Sequence, residues 1–178
     1  MANSVIINTR CAAENVDAYN RVAQSDSAVQ NGAPLTLTFP STAGSAVFTA
    51  AAPSAAATNV WMAYSPEVNK LVVGQVWGGQ DPRNFTNVAN VPFDVFKPQV
   101  GDIIQVNKEF FATGKDPATV TGATVVELTS AGWEAKVSPT SSYAGAGFKI
   151  GRAEPMVIAS GTVGGEQVTA YYLECTAN

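Results

Sequence analysis

The sequence predicts a mainly β protein: a single β-sandwich or barrel-like domain of short antiparallel strands, preceded by an N-terminal arm. From residue 35 onward, short apolar or alternating runs are separated by Gly, Pro, Asn and Ser, a pattern typical of strands joined by turns. Amphipathic helical patterns are scarce. The 178 residues are 46% hydrophobic, which is enough to build the core of one medium-sized domain.

Residues 1–30 are predicted to form an N-terminal arm or a short helix, and residues 31–178 the β-rich domain. Val16, Tyr19 and Val22 fall at helical spacing within residues 12–23. Asn and Asp residues weaken that helix, so an extended arm is an equal alternative. The stretch SVIIN near the start is open to two interpretations, either the first strand of the domain's own sheet or an arm that docks on a neighbour.

The first core strand is predicted directly after Asn31-Gly32, a strong turn signal that we place at the corner where the arm ends. Leu35, Leu37 and Phe39 then alternate with threonines and share one face. Pro34 cannot donate to a strand ladder, which argues against a simple hairpin at this corner.

Further strands are predicted along the rest of the domain, about nine or ten in all. The run NVWMAYSP places Val60 and Met62 on one face and Trp61 and Ala63 on the other. The remaining strands are predicted at residues 46–50, 70–77, 101–107, 124–128, 133–137, 147–153, 155–161 and 166–175.

Residues 78–99 are predicted to form a long irregular loop, because proline and asparagine recur throughout them. The segment also contains several large apolar side chains. It must therefore pack on this domain or on a neighbouring protein. Loops of this length in a compact domain are usually functional.

Composition excludes several classes of chemistry. The chain has no histidine, which removes Ser-His-Asp and Cys-His catalysis and the usual catalytic zinc sites. Cys11 and Cys175 are too few for a structural zinc site and are expected to be free thiols; a disulfide would require the chain ends to be adjacent. We therefore predict no catalytic residues, no cofactor and no metal.

One motif fails when its spacing is checked. Gly114-Lys115 resembles a phosphate-binding loop, but Glu109 stands where the loop needs glycine and Asp116 where it needs Ser or Thr. We predict a surface turn that begins at Asp116-Pro117.

Carboxylate pairs of the kind used in glycoside hydrolysis are weak candidates. Some of the acidic residues occupy turn positions, and those of the predicted 124–137 hairpin are expected on a solvated face. The candidates are Asp81, Asp94, Asp102, Glu127 and Glu134.

Charge argues against two kinds of partner. The formal net charge is -4, and no cluster of lysine and arginine occurs, so neither nucleic acid nor an anionic membrane surface is an expected partner. The chain shows no secretory signal and no long apolar run, so we expect it to be made in a cytoplasm. Charged residues are only 13% of the chain, which favours a protein that buries surface in an assembly.

The order of the turn signals is informative. AVQNGAPLTL is followed by VWMAYSPE and then by NFTNVANVPFDVFKPQVGDIIQVN. This progression resembles the capsid decoration, or cement, proteins of tailed bacteriophages. The resemblance covers roughly residues 25 to 108, and Asn84 stands before Phe85 where the family pattern has an acidic residue.

The resemblance implies a non-catalytic virion protein on the outer surface of the capsid, made in the host cytoplasm. Its partners would be the major capsid protein and neighbouring copies of itself, with a trimer possible. Two contact elements are expected, the N-terminal arm and the loop at 78–99. Their anchors would be Val5, Ile6, Ile7, Arg10, Phe85, Phe93 and Phe96.

The alternative is a β-rich carbohydrate-binding or adhesion module, including a phage tail or fibre component. It requires at least two of Trp61, Trp77 and Trp133 to lie exposed and coplanar on one face. Large aromatic residues at strand spacing are more often core or interface residues.

Overall fold

The computed structural model describes residues 6–12, 16–42, 44–65, 86–140, 145–159 and 165–178. These residues form strands and short 3₁₀ helices, and no helix among them is long and apolar enough to cross a membrane. The strands are β1 (Ile6–Arg10), β2 (Asn20–Gln24), β3 (Val29–Gln30), β4 (Pro34–Thr38), β5 (Val47–Ala51), β6 (Trp61–Ala63), β7 (Thr86–Asn87), β8 (Phe93–Phe96), β9 (Ile103–Val106), β10 (Val125–Thr129), β11 (Gly132–Lys136), β12 (Gly147–Ala159) and β13 (Gly165–Ala177).

The strands form a six-stranded sheet, a closed barrel and a two-stranded ladder. The sheet has the order β1-β9-β13-β12-β10-β11, and all of its neighbours are antiparallel. The barrel has the order β2-β5-β4-β6-β8, and its β2–β5 pair is parallel. The predicted mainly β, barrel-like fold is confirmed, with one parallel pair that the sequence did not predict.

Two hydrophobic cores share the walls formed by β6 and β8. Met62 and Phe96 point into the larger core, under the six-stranded sheet. Trp61, Phe93 and Val95 point into the barrel. Successive side chains of a strand face opposite sides, so these two short strands each contribute to both cores.

The larger core is built on aromatic contacts around Trp133. Its ring stacks on Phe110 at 5.8 Å between centroids and meets the edge of Phe148 at 5.2 Å. Its Nε1 donates to the carbonyl oxygen of Gly32 at 3.4 Å. This hydrogen bond joins the six-stranded sheet to the barrel.

A buried polar network closes the barrel end at which β4 begins. The Asn31 side chain donates to the carbonyl of Ser65 at 3.2 Å and accepts from the Ser65 amide at 3.1 Å. The Asn87 amide group donates to the same Asn31 oxygen at 3.1 Å. Gly32 follows with φ +85°, a backbone conformation that glycine adopts without steric cost. The predicted turn at Asn31-Gly32 is therefore confirmed as a buried centre of hydrogen bonding, but it is not the end of an arm, because β1, β2 and β3 precede it and pair within the domain.

The N-terminal segment differs from its prediction. β1 pairs with β9, so residues 6–10 belong to the domain's own sheet and do not form a separate arm. Of the two alternatives for residues 12–23, the helix is not formed from residue 16 onward, because Asp17–Tyr19 form one 3₁₀ turn and residues 20–24 form barrel strand β2. Strand pairing inside the barrel buries Ala23 completely, and this tertiary context overrides the weak helical pattern.

The predicted loop at 78–99 is also wrong over its second half. Residues 86–99 contain β7 and β8, and β8 is paired on both sides within the barrel. Pro92 and Pro98 flank β8 without interrupting it, and proline is tolerated at such strand boundaries. Residues 78–85 and the predicted strand at 70–77 lie outside the described residues.

Phe39 was predicted to belong to the first core strand, and its position corrects that prediction. Leu35 is buried, but β4 ends at Thr38, and the Phe39 side chain is 80% exposed at the end of the barrel. It contacts the Phe48 ring at 5.1 Å between centroids. The other predicted strands within the described residues are present, and those at 147–153 and 155–161 are continuous in β12.

Candidate interaction surface

The clearest candidate site is the part of the β12–β13 hairpin that projects from the six-stranded sheet. β10 pairs only with Gly147–Lys149, and β9 only with Tyr171–Glu174. Beyond these contacts, and within the residues that the structure describes, residues 153–159 and 165–170 pair only with each other. We call these two stretches the ribbon. At about 3.3 Å per residue, the ribbon reaches roughly 20 Å from the sheet.

A β-bulge marks the base of the ribbon. Ile150 pairs with Leu173 and Ala153 pairs with Tyr171, so β12 contains one residue more than β13 across this step. The step includes Gly151 and Arg152. Bulges bend a strand and increase its twist, so the ribbon changes direction where it leaves the sheet.

Polar contacts hold the base of the ribbon in place. Arg152 Nε lies 3.1 Å from Glu154 Oε1, and the Tyr172 hydroxyl donates to Glu154 Oε2 at 3.1 Å. The Arg152 guanidinium also lies 4.4 Å from the centre of the Tyr172 ring. These contacts connect the two strands on the outer side of the bulge.

The ribbon exposes much of its own surface. Val157 is 61% exposed, and Pro155, Gln167 and Thr169 are exposed beside it. An isolated two-stranded hairpin is marginally stable in water. A projecting ribbon with exposed apolar residues is therefore suited to docking on another protein.

The residues predicted from sequence to be contact anchors are distributed differently. Ile6, Ile7 and Arg10 lie on β1, opposite Val106, Gln105 and Ile103 of β9. Phe93 and Phe96 are buried, at 6% and 3% exposure. Their selection as surface anchors is therefore corrected, because both side chains pack inside this domain. Val5 and Phe85 lie outside the described residues.

Sequence reasoning missed the ribbon because it divided β12 at Glu154 and treated Pro155 as the start of a new strand. The signal that could have found it is length. After the SGTVGGE turn, β-branched and aromatic residues recur from Val168 to Thr176 with no Gly or Pro, whereas strands usually have about five or six residues.

An open groove of about 360 Å³ lies between one end of the barrel and the tip of the β10–β11 hairpin. Its walls are formed by residues 25, 27–30, 33–35, 52–53 and 129–132. These walls contain small polar and apolar side chains and no charged residue. The groove therefore brings together no groups of the kind that acid–base catalysis requires.

Two of the predicted carboxylates, Asp94 and Asp102, have different surroundings. Asp94 is exposed on β8. Asp102 is buried in a turn, as predicted, and its two oxygens accept the backbone N–H groups of Ala12 at 2.7 Å and Gln99 at 2.8 Å. Asp81 lies outside the described residues. Within the described ranges, no three His, Cys, Asp or Glu residues are grouped so as to hold a metal ion.

Glu127 and Glu134 lie opposite each other on β10 and β11, but their surroundings differ from the prediction. Glu127 is 2% exposed and not solvated. It accepts hydrogen bonds from Lys136 Nζ at 2.7 Å and from the Thr140 amide at 2.7 Å. Burial by itself would raise the pKa of Glu127, but these hydrogen bonds and the Lys136 charge hold the pKa below its ordinary value. Glu127 is therefore a satisfied buried ion-pair partner.

The Asp116 turn matches its prediction. Its carboxylate accepts the backbone N–H groups of Ala118 and Thr119 at 3.0 and 3.2 Å and the Thr119 hydroxyl at 2.8 Å. Burial alone would raise the pKa of Asp116, and these hydrogen bonds lower it overall. The Gly114-Lys115 segment precedes a capped turn, as the spacing argument predicted.

Both cysteines are free and buried, which confirms the prediction of free thiols. β9 lies between β1 and β13 in the sheet, so Cys11 and Cys175 are about two strand spacings, or roughly 10 Å, apart. That separation exceeds the reach of a disulfide. Burial, together with the charge of Asp102, raises the pKa of Cys175 to about 11, so its thiol is protonated at neutral pH.

The tryptophans do not form a stacking platform. Trp61 is 8% exposed and Trp133 is 1% exposed, and Trp77 lies outside the described residues. At most one of the three can therefore be exposed, whereas the carbohydrate-binding alternative requires two.

Comparison with known proteins gives no relative: no protein-family model, no curated protein and no solved structure matches the chain significantly.

Proposed function

We propose that this chain is a structural protein of a virus particle, a capsid decoration or cement protein that binds the outer surface of the major capsid protein lattice. The observation on which this proposal rests is the ribbon, which projects roughly 20 Å from the sheet and exposes apolar side chains. A ribbon of this kind can lie across the joint between two neighbouring subunits.

Two properties of the sequence also support the proposal. The order of turn signals in residues 25–108 resembles that of phage decoration proteins. The surface has few charged groups, with 13% charged residues in the chain, and so loses little solvation free energy when it is covered by a protein partner.

The proposed mechanism is stabilisation by linkage. A protein that binds the assembled lattice more tightly than it binds free subunits shifts the equilibrium toward the assembled state. Many copies bound to one particle make modest contacts sufficient, because each copy can touch more than one subunit.

The carbohydrate-binding module is not favoured as a second function. Its specific requirement was an exposed pair of tryptophans, and the burial of Trp61 and Trp133 leaves it without one.

The test is to mix the purified chain with capsid heads that lack it and to measure cosedimentation and the temperature at which the heads release their contents. Binding and a higher release temperature are expected. A charge introduced by Val157→Lys on the ribbon should weaken binding at least tenfold, because burying an unpaired lysine costs free energy.

Val100→Lys is the matched control. Val100 is 71% exposed in the turn before β9 and lies away from the ribbon, so this variant should bind as the wild type does. No cosedimentation together with unchanged head stability would overturn the capsid proposal. Equal binding by both variants would leave the proposal of capsid binding standing, but it would exclude the ribbon as the contact surface.

A further inference from the structure

The direction of the main-chain groups along β13 follows from one well-defined pair. The N–H of Cys175 donates to the carbonyl of Asp102 at 2.8 Å, and its carbonyl accepts from the N–H of Gly101 at 2.9 Å. The main chain of Cys175 therefore faces the side on which β9 lies. Main-chain groups of a strand point alternately to its two neighbours, and β13 has no bulge between residues 175 and 165.

Counting from Cys175 toward the N-terminus, every second residue of β13 therefore points its main-chain N–H and C=O groups to the side on which β9 lies. β9 uses this side only as far as Val106, which pairs with Tyr171. Gln167 and Thr169 face the same side beyond the end of β9. Both are exposed, and in the part of the chain that the structure describes no strand pairs with them there.

The opposite edge of the ribbon is less suited to pairing. Pro155 lies opposite Thr169. The main-chain N–H and C=O groups of Thr169 point away from β12. In an antiparallel pair, the main-chain groups of the opposite residue, Pro155, therefore point away from β13. Proline has no N–H, so this edge lacks a donor at its centre. Proline on an edge strand is a common means of preventing strand addition.

The two outer edges of the six-stranded sheet are also less suited to pairing. The edge of β11 is covered by residues 111–115, since Ala112 donates to Trp133 and Ala135 donates to Lys115, both at 2.8 Å. β1 has a register irregularity between Asn8 and Arg10, and such bulges discourage edge pairing. Among the edges of the sheet and its ribbon, β13 therefore offers the one regular, uncovered stretch in the described residues.

The sequence of this edge suits a second copy of the chain. The segment that would pair in such a contact, residues 165–169, has the sequence GEQVT and contains one charged residue, Glu166. In an antiparallel register centred on Gln167, Glu166 faces Val168 of the partner subunit. Two copies of an acidic chain, with net charge -4 each, can therefore approach here without placing like charges directly opposite each other.

We propose that two copies of the chain pair through this edge, β13 against β13, antiparallel about a two-fold axis at Gln167. Gln167 then faces Gln167 of the partner subunit, and Thr169 faces Gly165 of the partner subunit. In this register the unpaired N–H and C=O groups of the two β13 strands bond to each other. The β13 residues that already pair with β9 take no part in the contact. The ribbons join into a four-stranded sheet with the order β12-β13-β13-β12.

The assembly closes at two chains. A two-fold contact uses the same edge of both copies, and the outer edges of the new four-stranded sheet are the β12 edges with Pro155. This inference goes beyond the capsid proposal, since the contact between copies requires no capsid. It predicts a two-fold contact in place of the three-fold contact that the family resemblance suggests.

A cysteine crosslink tests the register. In Gln167→Cys the two new thiols would lie on directly opposite residues, with Cα atoms about 5.5 Å apart, within disulfide reach. Mild oxidation should convert this variant to a covalent dimer. The native thiols should not interfere, because Cys11 and Cys175 are buried at 6% and 1% exposure.

Val157→Cys is the matched control. Val157 is the cross-strand neighbour of Gln167 and is 61% exposed. In the proposed dimer it is separated from its equivalent by three strand spacings, about 14 Å. It should therefore form no covalent dimer on oxidation under the same conditions. Equal crosslinking of the two variants would show random collision and would overturn the proposal.

Light scattering on the reduced protein tests the pairing without a crosslink. The wild type should show a dimer whose fraction rises with concentration. Thr169→Pro removes one N–H from the open edge and should lower dimer affinity at least tenfold, while Thr169→Val should retain it. Circular dichroism checks that both variants are folded.

A monomer at all concentrations, together with no crosslink in Gln167→Cys, would overturn the dimer. A dimer that Thr169→Pro does not weaken would also overturn it, because the contact would then lie elsewhere. Head binding by a chain that stays monomeric would leave the capsid proposal standing, so the two failures can be distinguished.

Discussion

At the scale of single residues, buried polar side chains join parts of the chain that are distant in sequence. Asn31 connects Ser65 and Asn87, and Asp102 connects Ala12 and Gln99. Each of these side chains satisfies main-chain or amide groups that would otherwise be buried without a partner, which is the usual condition for a polar group inside a protein. The polar residues of this core therefore specify how its segments are positioned.

Replacing Asn31 should lower the free energy of unfolding by more than the loss of one small side chain would suggest. Asn31→Ala leaves the Ser65 amide and the Asn87 side chain without the oxygen they share, so we expect a loss of about 2–3 kcal/mol in the free energy of unfolding. Urea denaturation measures this loss in the free energy of unfolding. The control Asn20→Ala, at an exposed position, should change stability by less than about 0.5 kcal/mol.

Glu127 should make stability depend on pH in the acid range. Its folded pKa lies below the ordinary value of 4.5, so its contribution is present above pH 4.5 and is lost as the pH falls through the folded pKa. Glu127→Gln should cost about 1–2 kcal/mol at pH 7, because the bond from the partly exposed Lys136 loses its charge partner.

The difference between wild type and Glu127→Gln should shrink steadily below pH 4.5, and thermal melts at several pH values would show it. Asn20→Ala, which removes no ionisable group from an exposed position, is the control, and its difference from the wild type should not change over this pH range. A difference that stays constant down to pH 2 would mean that Glu127 does not ionise as described.

At the scale of elements, close packing between a loop and a strand restricts one glycine. A Cβ atom at Gly145, just before β12, would lie 2.7 Å from the backbone of Ala56, well inside van der Waals contact. The neighbouring Ala146 amide also donates to the Ala57 carbonyl at 3.0 Å. The turn at residues 54–59 therefore lies directly on the start of β12.

Gly145→Ala should lower the free energy of unfolding by about 1–3 kcal/mol, since one of the two backbones must move. Gly151→Ala is the comparison. Its Cβ would meet its nearest atom, the Tyr172 carbonyl oxygen, at 3.4 Å, so it should cost less than Gly145→Ala. Equal losses in chemical denaturation would contradict the packing argument.

At the scale of the whole molecule, the barrel and the six-stranded sheet share side chains and should unfold together. β6 and β8 send alternate residues into the two cores, and the Trp133–Gly32 hydrogen bond joins them. Loss of either core exposes the other. A single cooperative transition is therefore expected.

Met62→Ala tests this coupling from the larger core. Met62 is completely buried, so the variant should lose about 2–5 kcal/mol. Tryptophan fluorescence and far-ultraviolet circular dichroism should still report one midpoint, shifted equally for both. Two separate midpoints would show that the barrel and the sheet unfold independently.

The local features of this fold could be predicted from the sequence. The alternation around Trp61 and Met62, the hairpin turn before Trp133 and the turn at Asn31-Gly32 all depend on neighbours in the chain, and all three are confirmed. The assignment of that turn as the end of an arm was wrong. The predictions that Phe39 belongs to the core and that Glu127 is solvated were wrong. Both depend on which distant segment covers the side chain, and the local pattern contains no such information.

The candidate site also combines features that the sequence predicts with features that depend on tertiary structure. The low charge and the strand-forming residues near the C-terminus are properties of the sequence, but the sequence does not determine where neighbouring strands stop. β9 and β10 end early, and this leaves the ribbon and its β13 edge without partners in the described chain. The anchors predicted at Phe93 and Phe96 failed for the related reason that barrel closure buried them.

The sequence by itself determined a β-rich chain with few charges, no histidine and free thiols, because composition and alternation act through neighbouring residues. Only the tertiary structure decided which strands pair, which polar groups are buried and which edge stays open. Strand pairing joins residues far apart in sequence through main-chain groups that are the same in almost every residue. Side-chain patterns therefore predict that strands exist, and packing between distant segments selects their partners.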